Sequence, residues 1–128
     1  MTFEQFDKFQ AELLAEVVKM KDTKGREYAH SEDRFANFNR LAEELEMSPE
    51  KVLWIYFTKH KDSIVSFLKT RCTFSNESIY GRIVDAITYL TLLAGMIREW
   101  ENNTNIITQA GTKPYPDFNS YYPDKKSR

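Results

Sequence analysis

Between Ser75 and Glu101 a long helical pattern carries two charged residues, Arg82 and Asp85, inside an otherwise apolar run. Ionised groups in such a setting cost free energy unless they are paired, metal-bound or solvated, so they are the first residues to examine for chemistry. Glu77, Gly81 and Asp85 repeat every four residues, and Gly81 puts no side chain between the two carboxylates. That gap leaves room for a cation or a phosphate-bearing ligand. A hard cation such as Mg²⁺ takes only one or two protein carboxylates, with phosphate and water oxygens completing its shell. Glu77 and Asp85 are therefore candidate Mg²⁺ ligands and catalytic acids. Arg82, three residues before Asp85, offers the structural alternative of an ordinary intrahelical pair. Glu12 and Glu16, four apart on an earlier helix, would join the metal set if the two helices pack antiparallel, and otherwise face water.

Two further segments bear on an anionic ligand. Lys24, Gly25, Arg26, Glu27 and Tyr28 gather two cations, a carboxylate and a phenol around a flexible glycine, a combination suited to gripping phosphate. The plainer reading makes Lys24 and Arg26 solvated loop charges. Lys59, His60, Lys61 and Asp62 form the other segment, with Lys59 and Asp62 three apart and able to share a helix face. His60 lies on an apolar stripe, where a satisfied core residue is a commoner role than a general base or a ligand. Glu43 and Glu46 close a short helix, where negative charge opposes the dipole, and read as surface.

The elements that must position these residues read as four helices. Thr2 and Gln5 form a capping box ahead of Phe6, Phe9, Leu13, Val17 and Met20, so the first helix is expected to run to about Lys21. Asp22 to His30 reads as a loop, with Ser31 capping a second helix that turns Phe35, Phe38, Leu41 and Leu45 inward. Ser48-Pro49-Glu50 restarts the chain in a third helix, whose buried stripe is Leu53, Phe57, His60, Ile64 and Leu68. Ser75 is the expected cap of the fourth, with Ile79, Ile83, Ile87, Leu90, Ala94 and Ile97 as its apolar stripe. No alternating strand pattern occurs in this core, and no internal repeat. The expected architecture is all-α: a four-helix core bundle over residues 1–101 and an extended aromatic, Pro-rich tail over 102–128, packed on the bundle or partly mobile.

The chain has 128 residues and a mass of 15.1 kDa, which fits one domain with a real core. With 18 basic against 19 acidic residues, no overall field favours nonspecific nucleic-acid binding. Cys72 is the lone cysteine, so no internal disulfide forms, in keeping with a reducing cytosol. The opening Met1-Thr2-Phe3-Glu4 lacks the basic and apolar regions of an export signal. The apolar run Ile83 to Ile97 falls short of the ~20 residues that cross a bilayer, so a core helix in a cytoplasmic protein with no membrane partner is expected. Glycine-rich phosphate loops, paired-cysteine zinc signatures, nucleophile elbows and HExxH units are all missing from the sequence.

Taken together, the Lys24 to Tyr28 element, Phe35, Asn37 and Phe38, Ser48-Pro49-Glu50 with Trp54, and Arg82, Asp85 and Tyr89 resemble the small nucleotide-modification-associated domains of phages. More distantly the chain is similar to the all-α MazG-like nucleoside triphosphate pyrophosphatases. The likeness spans roughly residues 20 to 98. The MazG pattern sets Glu-x-x-Glu before a later Glu-x-x-Asp, whereas here Glu12 and Glu16 are four apart and Arg82 stands three before Asp85. The resemblance implies a homo-oligomeric bundle in a host cytosol that handles a nucleotide, with Mg²⁺-dependent hydrolysis of a (deoxy)nucleoside triphosphate as its chemistry. In that scheme Glu77 and Asp85 hold metal with Glu12 and Glu16 in reserve, and Glu27 acts as base. Lys24, Lys59 and Arg82 meet phosphates, and Tyr28 or Trp54 stacks on the base. The alternatives are a noncatalytic module that binds a nucleotide or a host protein, and a partner-binding domain that uses the aromatic tail from Tyr115 to Tyr122.

Overall fold

A computed structural model describes the backbone of residues 1–28 and 32–105 and the side chains of 1–20 and 32–105. Its helices are α1 (Phe3–Tyr28), α2 (Ala36–Leu45), α3 (Pro49–Thr70) and α4 (Ile79–Thr104), with no strand among the described residues. The protein is an all-α four-helix bundle. Helix α4 packs against both α1 and α3, and α2 packs on α3.

Local chemistry explains most of the helix ends. Thr2 Oγ1 accepts from the Gln5 amide at 3.2 Å while Gln5 Oε1 accepts from the Thr2 amide at 2.8 Å, the reciprocal capping box expected at α1. Ser48 Oγ accepts from the Lys51 amide at 3.3 Å, and Pro49 occupies the first turn of α3, where its missing N–H is no loss. Glu46 and Arg71 end α2 and α3 in the left-handed conformation, with φ of 55° and 57°, and their amides close the last turns. An L-residue tolerates that geometry only because those amides satisfy carbonyls at the helix end.

Three boundaries depart from expectation. Helix α1 continues through the expected loop to Tyr28, so Lys24 and Glu27 belong to a helix; the roughly 1 kcal/mol that Gly25 costs does not end it. Helix α2 starts at Ala36, and Asp33 shapes the entry: its Oδ1 accepts from the Phe35 amide at 2.9 Å and its Oδ2 from Asn39 Nδ2 at 3.3 Å, while the expected cap Ser31 lies outside the described residues. Helix α4 is capped by Ser78, whose Oγ accepts from the Gly81 amide at 3.0 Å, while Ser75 Oγ faces the Glu77 amide at 3.4 Å. Glu77 is thereby one residue ahead of the cap. At 26 residues α4 is long and apolar enough, by length and composition, to cross a membrane, a test that core helices of soluble proteins also pass. Helix α4 takes in residues 102–104, the start of the expected tail, and residues 106–128 of that tail lie outside the described residues.

The core is made mainly by Leu53, Val52 and Phe57 of α3, Val84, Ala86, Met96 and Trp100 of α4, Ala42 of α2 and Val17 of α1. The deepest residues of α4 are not those of the expected stripe: Ile79, Ile83, Ile87 and Ile97 are half-buried, and Leu90 and Ala94 are exposed. Helix α4 is apolar on most of its circumference, so periodicity alone does not select its packed face. On α3, Leu53, Phe57 and His60 are buried as expected, Ile64 is half-buried, and Leu68 is exposed.

Chain reach fixes the direction of α1. Phe9 meets Tyr80 near the start of α4 (ring centroids 6.4 Å), and Phe35 meets Gly95 nearer its end. An antiparallel α1 would carry Tyr28 on the order of 50 Å from Gly95 at 1.5 Å per helical residue, and the seven residues from Tyr28 to Phe35 reach about 25 Å at most. Helix α1 therefore runs parallel to α4. The antiparallel pairing that would turn Glu12 and Glu16 toward Glu77 and Asp85 does not occur.

Packing at the glycines makes the contact between Phe35 and α4 testable. A Cβ on Gly95 would sit 3.1 Å from Phe35 Cζ, whereas one on Gly81 would make an ordinary 3.4 Å contact with Glu77 Cγ. Gly95→Leu is expected to destabilise the protein by about 1–3 kcal/mol through overpacking, and Gly81→Ala to stabilise it by up to about 1 kcal/mol. Urea denaturation midpoints of the two variants check the contrast.

Candidate functional site

Helix α3 carries Leu53, Phe57 and His60 along the side that meets α4, and α4 answers with Asp85 and Tyr89, one helical turn apart. The His60 ring lies against Tyr89 with centroids 5.1 Å apart. Its Nδ1 is 3.7 Å from Asp85 Oδ2, both side chains being largely shielded, at 9% and 12% exposure. That distance is an electrostatic contact rather than a hydrogen bond, and Nδ1 is buried with no hydrogen-bond partner. Tyr56 connects this centre to α2: its ring meets Phe38 edge-on at 6.0 Å.

A second pair borders the first. Arg82 Nη2 lies 3.2 Å from Glu77 Oε2, with the arginine side chain 17% exposed and the glutamate 40%. The covered partner is the cation and the accessible partner is the acid. Lys59 is exposed beside His60, and Asp85, Lys59, Arg82 and Glu77 all act electrostatically on the imidazole. Burial is the largest influence and lowers the His60 pKa below its ordinary 6.5; Asp85 and Glu77 oppose it, while Lys59 and Arg82 reinforce it. Burial likewise raises the Tyr89 pKa, with Asp85 and then Tyr56 adding to the shift.

Four of the residues expected from sequence, Lys59, Glu77, Arg82 and Asp85, thus converge on one seam between α3 and α4. The others do not join them. Glu12 and Glu16 are exposed on α1, which packs on α4 and not on α3. Trp54 leans on Phe57 with centroids 4.8 Å apart, and five residues of α-helix turn it roughly 140° around α3 from Lys59. The side chains of Lys24, Glu27 and Tyr28 lie outside the described residues. The centre of the cluster, His60, read from sequence as a core histidine first; its apolar stripe position signals burial but not the acid that faces it from α4.

Mg²⁺ would need carboxylate oxygens not already engaged by other side chains. Glu77 is engaged by Arg82 and Asp85 faces His60, and among the described residues no three side chains of His, Cys, Asp or Glu gather around a point. These residues do not by themselves make a resident metal site. Compared with known proteins, the chain matches no family model, no curated protein and no solved structure.

The lowered His60 pKa has a defined sign in stability. The folded protein keeps the imidazole neutral where the unfolded chain, with its ordinary value of 6.5, takes up a proton. Stability present above pH 6.5 is therefore lost as pH falls from that value through the folded pKa. Urea midpoints measured from about pH 7.5 down to 5 should decline in the wild type, and His60→Gln should flatten the decline; an equal slope in both would remove His60 as its cause.

Proposed function

We propose that this chain is a nucleotide-handling protein that binds a phosphate-bearing ligand at the α3–α4 seam, without a hydrolytic step of its own. What supports the reading is the Arg82–Glu77 pair. A guanidinium held largely out of water, whose partner carboxylate is the more accessible of the two, is built to exchange that carboxylate for an incoming anion. Lys59 stands at the rim of the same cluster to meet further negative charge, and the phosphate would engage the guanidinium bidentately as Glu77 swings outward. Asp85 stays opposite His60, whose ring lies against Tyr89.

Hydrolysis would need the two acids released from their cationic neighbours and assembled around Mg²⁺, and the local pairing opposes this. The resemblance to phage nucleotide-modification-associated domains and MazG-like pyrophosphatases rests on the quoted residues, and it favours a nucleotide over other phosphate-bearing ligands. In the same reading the protein works in the cytoplasm, the host cytosol if phage-encoded.

A panel of nucleoside mono- and triphosphates, each with and without Mg²⁺, tests this directly. At ligand concentrations about 100-fold above Kd the added stability is about 2.7 kcal/mol, a rise in Tm on the order of 10 °C, with the nucleotide recovered intact. Arg82→Gln should abolish the shift, whereas Glu77→Gln should keep or strengthen it by freeing the guanidinium. Turnover that is lost in Asp85→Asn would replace this reading with metal-dependent hydrolysis, and the absence of a shift with every nucleotide would overturn it.

A further inference from the structure

The charges gathered at the α3–α4 seam balance. Among the described residues, those that act on its centre are the cations Lys59 and Arg82 and the acids Glu77 and Asp85, while burial keeps His60 neutral at pH 7 and above. The next acid along α3, Asp62, lies 3.8 Å from Lys61, and both are well exposed, so that pair is balanced within itself in water. Asp85 is only 12% exposed and faces an imidazole whose Nδ1 makes no hydrogen bond. A second negative charge brought beside Asp85 therefore meets repulsion that little solvent screens.

Arg82 and Asp85 are three apart on α4 and so are neighbours on one helix face. Whatever replaces Glu77 on the guanidinium is also felt by Asp85. Glu77 presents one negative charge on two oxygens, and its Cγ and Oε1 lie 3.4 Å and 3.6 Å from where a Cβ on Gly81 would stand. A like-for-like exchange keeps the seam neutral, whereas a dianion leaves surplus negative charge next to a shielded carboxylate. On the reading that this seam binds phosphate, we propose that its ligand class is the small phosphodiester, a cyclic nucleotide or a dinucleotide, in preference to a phosphomonoester. The two nonbridging oxygens of a diester take the place of the Glu77 carboxylate on Arg82 at the same charge. An ester group entering where the Glu77 side chain lay meets no Cβ at Gly81.

Calorimetric titrations at about pH 8 without divalent cations test the preference, using the 5′-monophosphates of the common nucleosides and the methyl esters of those same monophosphates. With a second phosphate pKa of about 6, the free monophosphate carries two charges and its methyl ester one. Each pair thus differs by one unit of charge and one methyl group. The methyl ester should bind with a Kd about tenfold lower or better, and Arg82→Gln should abolish binding of both. Asp85→Asn removes the opposing carboxylate and should narrow the gap to about threefold or less. Lys59→Gln, at an exposed position, removes a cation and should widen it. Far-UV circular dichroism checks the helices, and if Asp85→Asn does not fold, Lys59→Gln decides alone. The 3′,5′-cyclic monophosphates and dinucleoside monophosphates, titrated alongside, identify the source of the diester by whichever binds more tightly. A monophosphate that binds as tightly as its methyl ester, or a gap that either folded variant leaves unchanged, overturns the diester assignment while leaving Arg82-dependent phosphate binding in place. Failure of every one of these ligands to bind the wild type removes both.

Discussion

A neutral imidazole shut between two helices, with a carboxylate opposite it, is the constraint on which the rest of this protein depends. Helices α3 and α4 form the spine, and apolar residues from both fill most of the space between them. His60 and Asp85 break that apolar seam. Each is a poorly solvated polar group in a half-dry setting, and the two face each other at 3.7 Å without a hydrogen bond between them. The His60 ring lies against Tyr89 beside that contact. Helices α2 and α1 then attach to opposite partners of the spine, α2 to α3 and α1 to α4.

The same constraint arranges the charges. Once Asp85 is committed to His60, the guanidinium of Arg82, one helical turn earlier, needs another acid, and the chain supplies Glu77 from just ahead of the Ser78 cap. The two pairs are not equivalent. His60 and Asp85 are both shielded and resist exchange, whereas Glu77 stands in more water than the cation it serves. The Arg82–Glu77 pair, where the ligand is proposed to bind, and the His60–Asp85 contact are neighbours on one seam.

Much of this was legible in the sequence, and the failures have physical causes. The Thr2–Gln5 box and the Ser48-Pro49 start are local signals, set by hydrogen bonds three residues long, and both appear as expected. Ser75 and Ser78 carry the same side chain before the same apolar run, so sequence could not choose between them as the cap of α4. The continuation of α1 past Lys21 was hidden by polar residues and Gly25, which weaken a helix without ending it. The apolar stripe of α4 misled because a helix apolar on most sides receives its buried face from its neighbours. For the candidate site, the four-residue row of Glu77, Gly81 and Asp85 lies at the N-terminal end of α4, where Arg82 and the facing His60 also gather. The partners of those acids were less accessible: Arg82 pairs with Glu77 rather than Asp85, and the histidine facing Asp85 comes from another helix.

The most direct test is an NMR titration of the His60 imidazole in the wild type and in Asp85→Asn. The account predicts a pKa below 6.5 in the wild type, lowered further when the opposing carboxylate is neutralised, because burial then acts with less opposition. A wild-type value at or above 6.5, or one that Asp85→Asn leaves in place, would contradict it.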